Sequence, residues 1–488
     1  MNIVFVASEC FPFFKTGGLA DVIGSLPQKL ASPHNQIAVI LPKAQALPAE
    51  YNKQLTFQKS FHVHVTWRKQ VTRLYQLKKD QITFYFIEND YYFGRDRLYG
   101  YDDDGERFTF FTHAALEVME SLRHPIDILH CHDWQTGLIP AYVKIQGTKQ
   151  VKKTVFTIHN LQYQGQFPLS VFDELLHFSS EHLPGITHNH LVNFMKAAIF
   201  HADHITTVSP TYAEEITTEL GGHGLAPVLR QYQSKLSGIV NGINTDEFNP
   251  QTDQALTYPY KQNATIKSQN KYKIQTELQL SISKNLPLFA VISRLVQSKG
   301  LDLLLSVADL FLEHHQVQLI IVGSGEKLFE ERFLKLQSKY PTKVRTIIGF
   351  SEDLARQVYA ASDFLIMPSL FEPCGISQMI AIHYETVPIV RETGGLKDTI
   401  LSFNEHTLEG NGLSFTNYNA NDFLFTLNRA ITLFRNKTLW NLLLQNVYQS
   451  NFNWGKSAVQ YQQLYNHLLG VEGVPTYELE PTRIHRPI

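Results

Sequence analysis

An α/β protein of two doubly wound domains is predicted by three features of the sequence. Short β-rich apolar runs alternate with helical stretches, the alternation breaks once near residue 241, and it then resumes. In the first half the runs fall at 2–8, 37–42, 82–87, 126–132, 154–159 and 205–209. Strands of this length, separated by helical stretches, read as a parallel sheet, since parallel neighbours need long crossovers. Between residues 60 and 87 the segments FHVHVTW and VTRLYQL lie close together, which predicts a local antiparallel hairpin inserted in that pattern. From Gly18 onward Leu19, Val22, Ile23, Leu26 and Leu30 recur at helical spacing, so one face of that helix packs on the sheet. From residue 242 about forty polar residues follow without apolar rhythm and are expected to be irregular, which places a hinge at 241–250. The second half repeats the scheme at 287–293, 318–323, 344–350, 364–369 and 387–390. Ligands of such sheets bind beyond the carboxyl ends of the strands, and two of them facing each other form a cleft. The proline-containing tail, 472–488, is expected to be irregular.

Composition narrows the class. Of the 488 residues 43% are hydrophobic and 18% charged, the profile of a globular protein and not of a disordered or collagen-like one. Lys plus Arg (43) nearly balance Asp plus Glu (45), which argues against a nucleic-acid footprint. Cys10, Cys131 and Cys374 have no paired spacing, so neither a disulfide framework nor a zinc site is supported. No basic leader and no apolar run of about 18 residues is present, so a cytoplasmic protein without membrane partners is expected.

Four constellations carry possible chemistry. Lys15-Thr16-Gly17-Gly18 lies between the first strand and its helix, where glycines let backbone N–H groups approach a phosphate and Lys15 adds charge. A plain glycine turn opening a helix explains the same residues. It does not match GxGxxG, which disfavours a nicotinamide site. His130-Cys131-His132-Asp133-Trp134 ends a strand and is followed by Thr157-Ile158-His159-Asn160. Adjacent strand residues point to opposite faces and cannot all converge on one ion, so a polar cluster for hydroxyl groups is the stronger reading than a metal. Asp102-Asp103-Asp104-Gly105 lacks the alternation of a calcium loop and reads as a solvated turn before the helix at Phe108. In the second half Ser293-Arg294-Leu295 and Lys299-Gly300 place two cations at a strand end, as a diphosphate requires. Phe371-Glu372-Pro373-Cys374-Gly375-Ile376-Ser377-Gln378 leads from a strand into a helix, with Pro373 fixing the backbone beside the Glu372 carboxylate.

Taken together KTGGLADV, HDWQTGLIP, FTIHNLQYQGQFP, TTVSPTYAEEI, GIVNGINTDEFNP, SRLVQSKGLDLL, FEPCGISQ and VRETGGLKDT resemble the bacterial glycogen synthase and plant starch synthase family, in order and over nearly the whole chain. The resemblance implies a glycosyltransferase-B architecture. An acceptor-binding domain would span 1–241, completed by a crossing helix at about 456–488 that follows Phe452-Asn453-Trp454. A nucleotide-sugar-binding domain would span 242–455. It implies transfer of glucose from ADP-glucose to an α-1,4-glucan such as glycogen, with retention, without a metal or other cofactor. By motif position, Lys15, Gly17 and Gly18 would contact donor phosphates, and Arg294 and Lys299 the diphosphate. Glu372 and Cys374 would lie at the transferring glucose, with the backbone of Gly375, Ile376 and Ser377 at phosphate or sugar. His159, Asp133, Asn160 and Asn241 would hold hydroxyls, and Phe350 would stack on the base.

Asn244, Phe248, Phe350, Glu385 and Glu392 depart from the family's usual residues; Phe350 stands for a Tyr and Glu385 for a Gly. Position 380, where related retaining enzymes often carry a second Glu, is Ile380, so no carboxylate pair for double displacement is available. Two rivals remain: a non-catalytic glucan-binding homologue, against which the presence of Glu372, Arg294 and Lys299 speaks, and a UDP-sugar transferase of the same architecture.

Overall fold

The structure is a computed structural model and describes residues 1–471. The tail at 472–488, expected to be irregular, lies outside the described residues. The chain divides into two compact units: Met1–Asn241 with the terminal segment from Trp454, and Gly242–Asn453.

The first unit is built on a nine-stranded sheet. Its order is Leu236–Gly238, His204–Thr207, Val151–Ile158, Ile126–His132, Asn2–Val6, Gln36–Pro42, Ile82–Glu88, Arg68–Lys79, Thr56–Val65. The first seven run parallel, and their continuous apolar runs are buried on both faces by crossover helices. The expected hairpin is present: Thr56–Val65 and Arg68–Lys79 pair antiparallel and extend the same sheet at one edge. Their alternating exposure marks a strand pair covered on one face only. The Gly18–Leu30 helix buries Leu19, Val22, Ile23, Leu26 and Leu30, the stripe read from spacing. Trp454, Tyr461, Leu464 and Tyr465 of the Trp454–Leu468 helix join the same core, so residues from the far end of the chain complete it. A small antiparallel sheet of Gln166–Pro168, Leu191–Asn193 and Thr187–His188 has strands too short to show periodicity.

The second unit holds six parallel strands in the order Val344–Ile348, Gln318–Gly323, Leu288–Ile292, Phe364–Met367, Val387–Arg391, Leu413–Phe415. Counted along the chain this is 3-2-1-4-5-6, the doubly wound order of nucleotide-binding sheets.

Two expectations are corrected. The stretch after residue 242 contains the Ala264–Glu277 helix. It buries Asn270, Lys271, Ile274 and Gln275, a mostly polar face with no apolar stripe to detect. Its lysines replace the stripe: Lys267 donates to the Tyr384 and Ala360 carbonyls, and Lys271 to Leu286 O and Asp363. The acidic run 102–104 is not simply solvated. The helix already begins at Asp104, which is buried against Arg107 and accepts the Gly100 N–H, while Asp103 pairs with Arg95.

Candidate active site

In a doubly wound sheet the chain winds in opposite directions from two neighbouring strands, and the loops at their carboxyl ends part to leave a crevice. In the second unit those strands are Leu288–Ile292 and Phe364–Met367. Their loops are zipped together, with the Leu370 N–H donating to the Ser298 carbonyl at 2.9 Å. Lys299 Nζ reaches both oxygens of Glu372, at 2.9 and 2.7 Å, and Ser369 Oγ donates to Oε2 at 3.0 Å. The Glu372 carboxylate is thus buried with its orientation fixed by two side chains. Arg391, at the end of the next strand, holds the Ser369 and Leu370 carbonyls at 2.7 and 2.5 Å.

Two glycines let these loops close. Gly300 has φ +67°, and a Cβ there would lie 1.9 Å from the Pro368 carbonyl oxygen. Gly394 has φ +43°, and its Cβ would lie 2.1 Å from Glu372 O. The KG and TGG motifs are therefore packing devices beneath Glu372. Beyond Glu372, Cys374 is buried, and Gln378 Nε2 ties the Cys374 and Gly375 carbonyls at 3.1 and 3.0 Å. Ile376 precedes the Ser377–His383 helix. Arg294 is exposed, and its guanidinium has no hydrogen bond or ion pair among the described residues. Phe350, just past the Val344–Ile348 strand, is 68% exposed.

In the first unit the neighbouring switch strands are Asn2–Val6 and Ile126–His132. After the first, the Thr16 N–H and Oγ1 both bind Glu9 Oε2, at 2.5 and 2.7 Å. Burial pushes the Glu9 carboxyl up, against the hydrogen bonds from Thr16 and Gly17. A Cβ on Gly18 would meet nothing within 4 Å, and on Gly17 only Glu9 Oε1 at 3.8 Å, so neither glycine is demanded by internal packing. Lys15 is bound to Asp21 at 2.7 Å.

After the second strand the histidines divide their roles. His130 is wholly buried between Tyr465 Oη at 2.7 Å and Thr157 Oγ1 at 2.6 Å, as a core histidine should be. His132 Nδ1 lies 3.0 Å from His159 Nε2, so each ring fixes the other's tautomer. Burial holds both as neutral imidazoles, His159 down to about 3. Asp133 adopts φ +56°, unusual for a residue with a side chain, and its Oδ1 accepts the His159 N–H at 2.8 Å. Burial pushes its carboxyl up to about 7. Asn160 Oδ1 caps its own turn through the Gln162 N–H, and Asn241 keeps a buried Oδ1 with no hydrogen bond. Among the described residues no group of three or more His, Cys, Asp or Glu is placed to hold a metal ion.

Sequence reasoning did not single out Glu9, Ser369 or Arg391. Each acts on loop neighbours through bonds that spacing does not mark, although Arg391 lies within VRETGGLKDT and Ser369 at the end of FLIMPS.

The chain is similar to known proteins. Residues 2–231 match the family described as starch synthase catalytic domain, and 275–436 that of glycosyl transferases group 1. The glycogen synthase of Halalkalibacterium halodurans is 52% identical over 470 residues, covering 96% of this chain and 99% of that protein. The chain belongs to the glycogen synthase and starch synthase family. It is a glycosyltransferase. The glycogen synthase of Oceanobacillus iheyensis is 46% identical, with 96% and 98% covered. The catalytic domain of starch synthase IV from Arabidopsis thaliana, bound to ADP and acarbose, matches with TM-score 0.87 and 31% identity over 96% of this chain and 99% of that one. Sucrose-phosphate synthase from Thermosynechococcus elongatus, at 16% identity and TM-score 0.61, shares the fold.

Within this glycogen synthase family member the atypical residues have local partners. Asn244 Oδ1 accepts the Asp246 and Glu247 N–H groups, the Phe248 ring lies 4.8 Å from the Arg356 guanidinium, and Glu392 accepts from Ser414 Oγ at 2.7 Å.

Proposed function

We propose that this protein is a glycogen synthase that moves glucose from ADP-glucose to the non-reducing 4-hydroxyl of an α-1,4-glucan, with retention and release of ADP. The observation that carries the reading is the buried Glu372 carboxylate held by Lys299 and Ser369 at the switch point of a nucleotide-type sheet, with the exposed Arg294 just past the Leu288–Ile292 strand. Relatives that are glycogen synthases at this identity, and a starch synthase structure bound to ADP, support it.

In the proposed step the bond from the glucosyl C1 to the diphosphate oxygen breaks, and charge develops on both sides of it. Arg294 meets the departing diphosphate as a cation whose guanidinium has no hydrogen bond or ion pair among the described residues. Lys299 stands beside it but shares its charge with Glu372, whose rigid carboxylate faces the growing positive character at C1. Contacts of this kind stabilise the transition state more than the neutral sugar, at about 3–4 kcal/mol for a well-placed group. The acceptor oxygen attacks C1 from the face the diphosphate leaves, and its proton passes to a leaving phosphate oxygen. Neutral His159 and Asn241 Oδ1 offer hydrogen-bond partners for sugar hydroxyls, and Gly17 and Gly18 leave room for a phosphate at the helix opening. Phe350 offers the base an aromatic face.

Positive side chains and backbone N–H groups take the part a divalent ion plays elsewhere, so we place the activity as metal-independent. The protein is assigned to the cytoplasm, with no nucleic-acid or membrane partner; no helix of the described residues is long and apolar enough to cross a membrane. Transfer onto glycogen from ADP-glucose and UDP-glucose, each with and without excess EDTA, tests the reading. ADP-glucose should be favoured at least tenfold in kcat/KM with no loss to EDTA. Equal or better use of UDP-glucose overturns the donor assignment. Abolition by EDTA with recovery in Mg²⁺ overturns the metal-free one.

A further inference from the structure

A cavity of about 300 Å³ in the second unit lies away from the strand-end loops. Its wall includes Ile382 and His383 in the last turn of the short Ser377–His383 helix and Glu385 just beyond it; the helix's other end carries the Glu372 loop. Segments 245–251, 261–262 and 447–450 close the remaining sides.

Glu385 is the unusual group. It is only 5% exposed and adopts φ +60°, a backbone region that favours glycine and costs a side-chain residue roughly 1–3 kcal/mol. It meets a second left-handed residue, since the N–H of Gln262 (φ +48°) donates to Oε1. Oε2 is buried without a hydrogen-bond partner. Burial pushes the Glu385 carboxyl up, against the Lys267 ammonium, the Gln262 N–H and the Tyr448 hydroxyl, and Oε2 still lacks a donor within hydrogen-bond distance. A buried acceptor left open costs free energy unless something donates to it.

The rest of the wall indicates what that donor belongs to. Lys261 and the neighbouring Lys267 offset Glu385 and Asp246, so the surroundings carry little net charge and give neither an anion nor a polycation an advantage. Burial and Lys261 both hold His383 neutral. Asn249, Gln251 and Gln262 add carboxamides, Thr245 and Ser450 hydroxyls, and Tyr448 a phenol ring. Uncharged donors and acceptors around one carboxylate and one aromatic face suit a ligand made of hydroxyl groups on a compact carbon frame.

We propose that this cavity binds a neutral polyhydroxylated molecule of monosaccharide to disaccharide size, with Glu385 Oε2 accepting one of its hydroxyls. The site is separate from the strand-end loops and does not depend on which nucleotide sugar is used there. Two sources share this chemistry, a free monosaccharide and the end of a glucan chain.

Calorimetric titration of the full chain with glucose, maltose, spermidine and inorganic phosphate tests the proposal, alongside Glu385→Gln and Glu385→Gly. Glu385→Gln keeps an acceptor for the Gln262 N–H but replaces the open oxygen with a donor. Glu385→Gly removes the carboxylate and relieves the left-handed backbone, which offsets the lost Gln262 bond, and a melting curve checks that it folds. The expected result is a saturable site for glucose or maltose that weakens at least tenfold in both variants and persists in Arg294→Ala. Glucose binding identifies the free monosaccharide as the source, and maltose without glucose identifies the chain end. Sugar binding that both variants leave unchanged, no sugar binding beyond what Arg294→Ala abolishes, or a Glu385-dependent site that takes spermidine or phosphate instead would each overturn it.

Discussion

The two units place residues at equivalent switch points of similar sheets, yet the groups they offer differ in kind. In the second unit the side chains are charged: Lys299 and Glu372 form a closed pair, and Arg294 stands uncommitted. In the first unit desolvation has removed charge, leaving His132 and His159 neutral and Asp133 and Glu9 with raised carboxyls. Fixed charge serves a bond that breaks heterolytically, and neutral donors and acceptors serve the recognition of hydroxyls. On the proposed function, ion pairing in the second unit and desolvation without a counter-charge in the first fit similar scaffolds to a reactive and a recognition task.

The sharpest test of this contrast is Arg294→Ala. Loss of a guanidinium with no hydrogen bond or ion pair among the described residues should lower kcat/KM for the donor by about 10²–10³ while Tm is unchanged. A drop under tenfold would show that the second unit's charge is not aimed at the leaving group. Glu372→Gln comes next, with kcat reduced about a hundredfold, near 3 kcal/mol, and donor KM close to wild type. Gln still accepts from Lys299, so a loss that merely follows a fall in Tm would assign Glu372 to loop support.

The first unit should respond to pH instead. The folded-state carboxyl of Asp133 is raised to about 7 from 3.8, so the folded protein binds an extra proton between those values. Its contribution favours folding at low pH and is lost as pH rises through about 7. Asp133→Asn should therefore raise Tm at pH 8, by about 2 °C or more, and keep a clearly smaller advantage near pH 5, read by calorimetry at both values. An Asn variant less stable at both would show that its ionised form is needed by the fold. The smallest effect is expected from Phe350→Tyr, which restores a hydroxyl to an exposed ring; donor KM should change by no more than about tenfold, the value of one hydrogen bond.

What was legible in the sequence follows from what periodicity and motif can encode. Parallel strands and the Gly18–Leu30 stripe announce themselves because burial is apolar there. The Ala264–Glu277 helix does not, because its buried face works by lysine ammonium groups bonded to carbonyls. At the candidate site the motifs pointed to Glu372, Lys299 and Arg294 but not to who holds whom. The bond from Ser369 to Glu372, the Arg391 brace and the His132–His159 pair are facts of three-dimensional proximity between segments. The sequence placed Lys299 and Lys15 at phosphate contacts but could not show that Lys299 is paired with Glu372 and Lys15 with Asp21.

The Trp454–Leu468 helix has a consequence for how the protein is made. Its Tyr465 hydroxyl reaches His130 across 335 positions of sequence, and its rings fill the core beside the Gly18–Leu30 helix. On the ribosome, Met1–Asn241 emerges first but lacks this last piece until all of Gly242–Asn453 has been synthesised. At about 5–20 residues per second that interval is roughly 10–40 s. The nascent chain must carry an open apolar groove through that time, which makes the early half the natural client of a chaperone and the late half able to finish first.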